Sequence, residues 1–149
     1  MKTAKIVSER TAGLRYVESS ALVAALVDGD EMAHASIEAD GVCVTSELTL
    51  AETRRAITRR RVAAVISSER ERELRLLVDK FEQHCDLIRV TPAILRQVGR
   101  LFPSEPVRTL DAIHLGSIES LDEDPAHVIV VTRDKRIEAN ARAMGYGIE

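Results

Sequence analysis

"LRYVESSALVAALV", residues 14–27, places one acid between two apolar runs. Residues 14–17 read as a short strand and residues 21–27 as a helix apolar all round, which suits burial. The apolar run is far shorter than the roughly 20 residues that span a bilayer, so it belongs to a core. A strand running straight into a buried helix is the first half of a βαβ unit, and its joint is occupied by Glu18, Ser19 and Ser20. A carboxylate there is costly unless something compensates its charge.

The same alternation continues outward. The turn Asp28-Gly29-Asp30 leads into a predicted helix over 31–39, and 42–44 form a second strand. Both aspartates of that turn fit turn and N-cap roles, because the rest of a calcium loop is absent. Ser46 caps a helix to about residue 60, and Ser67 or Ser68 opens another, with Leu74, Leu77, Val78 and Phe81 on one face. Residues 86–90 read as a third strand, and Thr91-Pro92 as a helix start that runs to Leu101-Phe102-Pro103. A helix over 107–121, a nearly all-apolar fourth strand over 127–131 and a last helix from Asp134 to about Gly145 complete the pattern. It predicts an α/β protein with a mainly parallel sheet covered on both faces. In such sheets ligands collect beyond the carboxyl ends of the strands.

The 149 residues make one domain, 14–149, preceded by a polar arm, 1–13, that lacks an apolar period and is expected to be flexible. Only 3% of residues are aromatic, which excludes a platform that stacks bases. A net charge of −3 excludes a surface that clings everywhere to polyanions, yet Arg54, Arg55, Arg59, Arg60 and Arg61 cluster, and arginine forks suit phosphate. Coding bias and solvated helix faces are the bland alternative for that cluster. Cys43 and Cys85 lie far apart without C-x-x-C spacing, so neither a disulfide framework nor a zinc site is expected. A soluble chain in a reducing cytoplasm, with no membrane role, is the natural setting.

Four acids fall where acids are costly. Glu18 follows the first strand and Asp134 the fourth, which puts both at the carboxyl edge of the sheet. Asp134 is also a favoured N-cap; glutamate is not, and Ser19 and Ser20 are at hand for that duty. Asp111 shares a helix face with Val107 and Ile118, and its alternatives are a pairing with Arg108 or a hydrogen bond to His114. Glu52 shares a side with Leu48 and Ala56, an ion pair with Arg55 being the alternative. Glu47, in the first turn, is explained by the helix dipole. An acid at each of two strand ends and two more on apolar helix faces can converge on one crevice. Their repulsion calls for cations, and oxygen ligands favour hard ions.

These elements resemble the PIN-domain ribonucleases of the VapC toxin type, over nearly the whole chain. "ESSALV" matches D-x-S-A-L, "TSELTLAETRRAI" matches T-S-x-L-x-x-A-E, "RTLDAIHLGSI" matches L-D-A-x-H-L-A and "VVTRDKRI" matches V-T-x-D. The resemblance implies a three-layer α/β/α sandwich and cleavage of RNA with Mg2+ or Mn2+ at Glu18, Glu52, Asp111 and Asp134. Ser20, Thr132 and His114 would orient those ligands from behind, and Arg54, Arg55, Arg59 and Arg108 would hold the RNA backbone. It also implies a homodimer and a cognate VapB-like antitoxin. Glu18 replaces the family's aspartate, and its extra methylene is expected to carry the carboxylate further into the crevice. That departure motivates a second reading, a catalytically silent PIN domain that only binds RNA or antitoxin. A phosphate-receiver domain fits poorly, since the "DLIRV" strand ends without an acid; a dehalogenase-like phosphatase needs D-x-D where "ESS" stands.

Overall fold

In the computed structural model, which describes residues 13–149, the strand opened by the quoted stretch, β1 (Leu14–Val17), is the middle of five. The order is β3-β2-β1-β4-β5, with β2 at Val42–Ser46, β3 at Asp86–Ile88, β4 at Val128–Val131 and β5 at Gly147–Ile148. Every neighbouring pair is parallel, with Val17 level with Thr45 on one side and Val131 on the other. The helices are α1 (Ser19–Leu26), α2 (Glu31–Glu38), α3 (Glu47–Val62), α4 (Ser68–His84), α5 (Pro92–Gln97), α6 (Thr109–Glu119) and α7 (Lys135–Ala143).

Alternation along the strands divides the core in two. Tyr16, Val128 and Val130 pack with Ala112, Leu115 and Ile118 of α6 and Ile137 and Ala141 of α7. Val17 and Val131 face the other way, onto Ala21 and Leu22 of α1, with Ile37 of α2 and Phe81 of α4 alongside. The architecture is the expected three-layer α/β/α sandwich. No helix among the described residues is long and apolar enough to cross a membrane. Apart from Gly13, the polar arm lies outside the described residues.

Several local readings are corrected. The fifth strand, of two residues, is too short to display alternation in the sequence. The third strand stops at Ile88, and α5 stops at Gln97, where turns begin just before Gly99. Helix α6 starts at Thr109, two residues later than the spacing predicts, because Arg108 is still extended, at φ −77° and ψ 158°, and serves as its N-cap. Cys43 and Cys85 form a disulfide, their Cα atoms 4.7 Å apart across 42 residues. The chain spacing gave no hint of it: Cys43 lies in β2, and Cys85 caps α4 just before β3 pairs with that strand.

Arg15 is a charge in the central strand, 3% exposed. Such a charge needs partners. Its guanidinium meets the Glu149 carboxylate at 2.5 Å and donates to the Ser36 carbonyl. Gly41, at φ +136°, makes room for it, since a Cβ there would lie 2.9 Å from Arg15 Cγ.

Candidate active site

At the carboxyl end of β1 the chain is pinned before any functional side chain begins. Thr45 Oγ1 and Thr49 Oγ1 both donate to the Val17 carbonyl, at 2.8 and 3.2 Å, and the Glu18 N–H donates to Val131 O at 3.0 Å. Glu18 is therefore fixed by both neighbouring strands. Contrary to the expectation from cap preferences, it is itself the N-cap of α1. Its side chain accepts from the Ser20 N–H, while Ser19 and Ser20 donate their hydroxyls to it. The extra methylene folds the carboxylate back onto the helix start rather than further into the crevice.

A cleft of about 690 Å³ opens at this edge, and Glu18, Glu52, Asp111 and Asp134 all line it. Glu52 comes from α3, where Oε1 accepts from His114 Nε2 at 2.6 Å and from Ser19 Oγ at 3.0 Å. Arg55 is exposed and is not the partner of Glu52. Burial pushes the Glu52 carboxyl up, but the bond to His114 and its charge, with Ser19 and Arg59, outweigh that and leave it below the usual glutamate range. His114, on α6, is buried, and its Nδ1 lies 2.8 Å from the Tyr16 hydroxyl.

Asp111 stands one turn before His114. Its Oδ2 is buried and has no hydrogen-bond partner, the nearest cation being Arg108 Nε at 3.7 Å. Burial raises its pKa first, and the charges of Asp134 and Glu18 add to the rise against the opposing pull of Arg108. Leu110, beside it, is 46% exposed at the cleft rim, because α6 buries residues 112–118 nearly all round instead of along a single stripe. Asp134 caps α7 through Oδ1, accepting from the N–H groups of Arg136 and Ile137. Thr132 Oγ1 donates to Glu18 Oε2 at 2.8 Å and accepts from the Asp134 N–H at 3.0 Å, so it spans two of the acids. Ser20 Oγ donates to the same Glu18 oxygen and accepts from Arg133 N–H.

The donor set fits a hard divalent cation. It consists of carboxylate oxygens, those of Glu18 and Glu52 lying within 4.8 Å of one another beside the His114 ring. The orphaned Asp111 oxygen is the kind of group such an ion would satisfy.

Among the arginines, Arg59 and Arg108 line the cleft, and Arg60 joins them, although its place in the sequence did not single it out for the RNA backbone. Arg54 is committed elsewhere, to Asp79 at 3.1 Å and Glu82 at 2.7 Å on α4. Glu47 reaches the Val90 N–H at 3.0 Å and takes no part in the lining. Two further groups are not evident from the motifs, Ser19 between Glu18 and Glu52, and Tyr16 behind His114. The signal for Tyr16 is general: a tyrosine in a buried strand needs a partner for its hydroxyl.

An acidic crevice past the central strands of a three-layer α/β/α sandwich defines the class. The model of the PIN domain family matches residues 15–143, and the chain belongs to that family. No curated protein sequence matches it. Among solved structures, VapC20 of Mycobacterium tuberculosis, a sarcin-ricin-loop-cleaving toxin, is similar at a TM-score of 0.61 and 16% identity, with 84% of this chain and 93% of that one covered. VapBC2 from Rickettsia felis, solved on a DNA fragment from its promoter, is similar at a TM-score of 0.58 and 13% identity, covering 91% and 97%. At such identities the likeness concerns the fold.

Proposed function

We propose that this PIN domain is a divalent-metal-dependent endoribonuclease of the VapC type, the toxin of a toxin–antitoxin pair acting in the cytoplasm. The observation that carries the reading is Asp111 Oδ2, an orphaned buried acceptor in a cleft that Glu18, Glu52 and Asp134 also line. The four carboxylates would form the metal centre, with Mg2+ or Mn2+ as the ion. A bound divalent ion polarises a phosphoryl oxygen and makes water nucleophilic near neutral pH. The chain supplies position and charge. Arg59 and Arg108 at the cleft can hold phosphates, whereas Arg60, also in the lining, is paired with Asp28 at 2.5 Å. His114, Ser20 and Thr132 fix the carboxylates they touch, so little reorganisation is left for the reaction.

RNA as substrate and a VapB-like antitoxin as partner are supported by the family and by the VapC20 and VapBC2 likenesses. Homodimerisation is supported by large apolar side chains left exposed at Leu95, Leu101 and Leu110. The second reading, a silent PIN domain, is favoured by one observation, the engagement of both Glu18 oxygens within the protein. Purified wild type and Asp111→Asn, each incubated with RNA and Mn2+ or Mg2+, separate the two. Wild type should cleave and the variant should not, while remaining folded; a variant as active as wild type defeats the assignment.

A further inference from the structure

Each acceptor position of Glu18 faces a donor of the protein. A carboxylate offers two oxygens with about four lone-pair positions. Oε1 accepts from Ser20 N–H at 3.0 Å and shares the one Ser19 Oγ proton, 2.6 Å away, with Glu52 Oε1 at 3.0 Å. Oε2 accepts from Ser20 Oγ and from Thr132 Oγ1 at 2.8 Å. The side chain is only 4% exposed. Asp111, by contrast, presents a buried oxygen without a partner, and Glu52 is 29% exposed at the cleft.

We propose that Glu18 is a positioning residue rather than a direct ligand: Glu52, Asp111 and Asp134 supply the carboxylates that touch the ion, and Glu18 ties their supports together. The inference rests on the metal reading above and divides its four acids into two kinds. The ties are specific. Through Ser19 Oγ, shared between them, Glu18 is coupled to Glu52. Through Thr132 Oγ1 it is coupled to the N–H of Asp134, and through Ser20 Oγ to the N–H of Arg133. A glutamate can fold back to collect all four donors and still cap α1, which accounts for the longer side chain at this joint without placing it in the ion's coordination sphere.

The test is Mn2+ binding to the purified protein, read by isothermal titration and by water-proton relaxation per bound ion. Losing a direct ligand admits a water to the ion and raises that relaxation. Losing an outer partner weakens binding by about 10-fold to 100-fold and leaves the relaxation per ion unchanged. Glu18→Gln should follow the second pattern and Asp111→Asn the first. Wild type itself provides a check that needs no variant to fold: on saturation with Mg2+, the 13C carboxyl resonances of Asp111 and Asp134 should move further than that of Glu18. A higher relaxation per ion in Glu18→Gln, or a Glu18 shift as large as that of Asp111, overturns the inference. If wild type binds no Mn2+ at all, the metal reading falls and the inference falls with it.

Discussion

Removing the Cys43–Cys85 bridge tests the one covalent constraint the fold contains. The two cysteines close a loop 42 residues apart in sequence, made of α3, α4 and their connection. Chain-entropy arithmetic for that length gives a stabilisation of about 4 kcal/mol, through the denatured state. At roughly 2–4 °C per kcal/mol for a chain of this size, Cys43→Ala/Cys85→Ala should melt about 8–16 °C below the oxidised wild type. Scanning calorimetry, with thiol titration to establish the bridge in the starting material, reads the difference. The site should survive below the melt, since Glu52 is positioned by His114 and Ser19, not by the bridge. RNA cleavage at 25 °C should then persist in the double variant. A melting difference under about 2 °C, with the bridge shown closed in wild type, refutes the loop-entropy reasoning.

Two other predictions concern charges away from the carboxylates. Arg54→Ala should cost about 0.5–1 kcal/mol of stability, the scale of a half-exposed ion pair, and leave RNA affinity alone, whereas Arg59→Ala should weaken RNA binding. For Arg59→Ala, the slope of log affinity against log salt should fall by about 0.7 for each phosphate that Arg59 neutralises, a value measured by fluorescence anisotropy at several salt concentrations. Glu149 is held below its ordinary value of 4.5, chiefly by its hydrogen bond to Arg15, with burial opposing. A depressed carboxylate contributes stability above its unfolded pKa and loses it as pH falls through the folded one. Glu149→Gln should therefore lower the melting temperature at pH 7, and the gap should close as the pH drops below 4.5. A gap that persists at acid pH rules the ion pair out as its source.

The sheet was legible because its strands run apolar and its helices open with recognisable caps. Thr91-Pro92, Ser46, Ser67 and Asp134 all mark starts that the fold keeps. What the chain could not display were features that exist only across it. A two-residue strand has no period, and the disulfide depends on strand pairing that brings residue 43 beside residue 85. The acids were found from their cost: a carboxylate beside apolar neighbours signals compensation wherever it sits. The same rule misjudged Glu18, because cap preferences count single residues and miss two serines and a threonine arranged to donate to one glutamate. The ion pairs of Arg54 were hidden for a related reason. Its helix position put it beside the other arginines, but the face it shares with α4 holds Asp79 and Glu82.

The bond between His114 and Glu52 fixes which ring nitrogen carries the proton, and that reaches back to Tyr16. Glu52 is held below the usual glutamate range, so at neutral pH it is a carboxylate and can only accept. Nε2, 2.6 Å away, must therefore be the protonated nitrogen. In the neutral ring Nδ1 is then an acceptor, and the Tyr16 hydroxyl at 2.8 Å must donate to it. Tyr16 can do so, since burial, and after it the charge of Glu18, push its pKa upward and keep the phenol protonated. With the ring neutral, the relay runs one way, from Tyr16 to His114 to Glu52. Tyr16→Phe leaves a buried acceptor unpaired at a cost of about 1–3 kcal/mol, yet it keeps the bond to Glu52. His114→Ala removes that bond as well, so it should weaken Mn2+ binding by about 10-fold to 100-fold, and Tyr16→Phe should weaken it less. Two-bond 15N–1H spectra of the imidazole read the tautomer directly. Whenever the ring is neutral, wild type should give a protonated Nε2 and an unprotonated Nδ1, and a neutral ring with the opposite pattern breaks the relay at its first link.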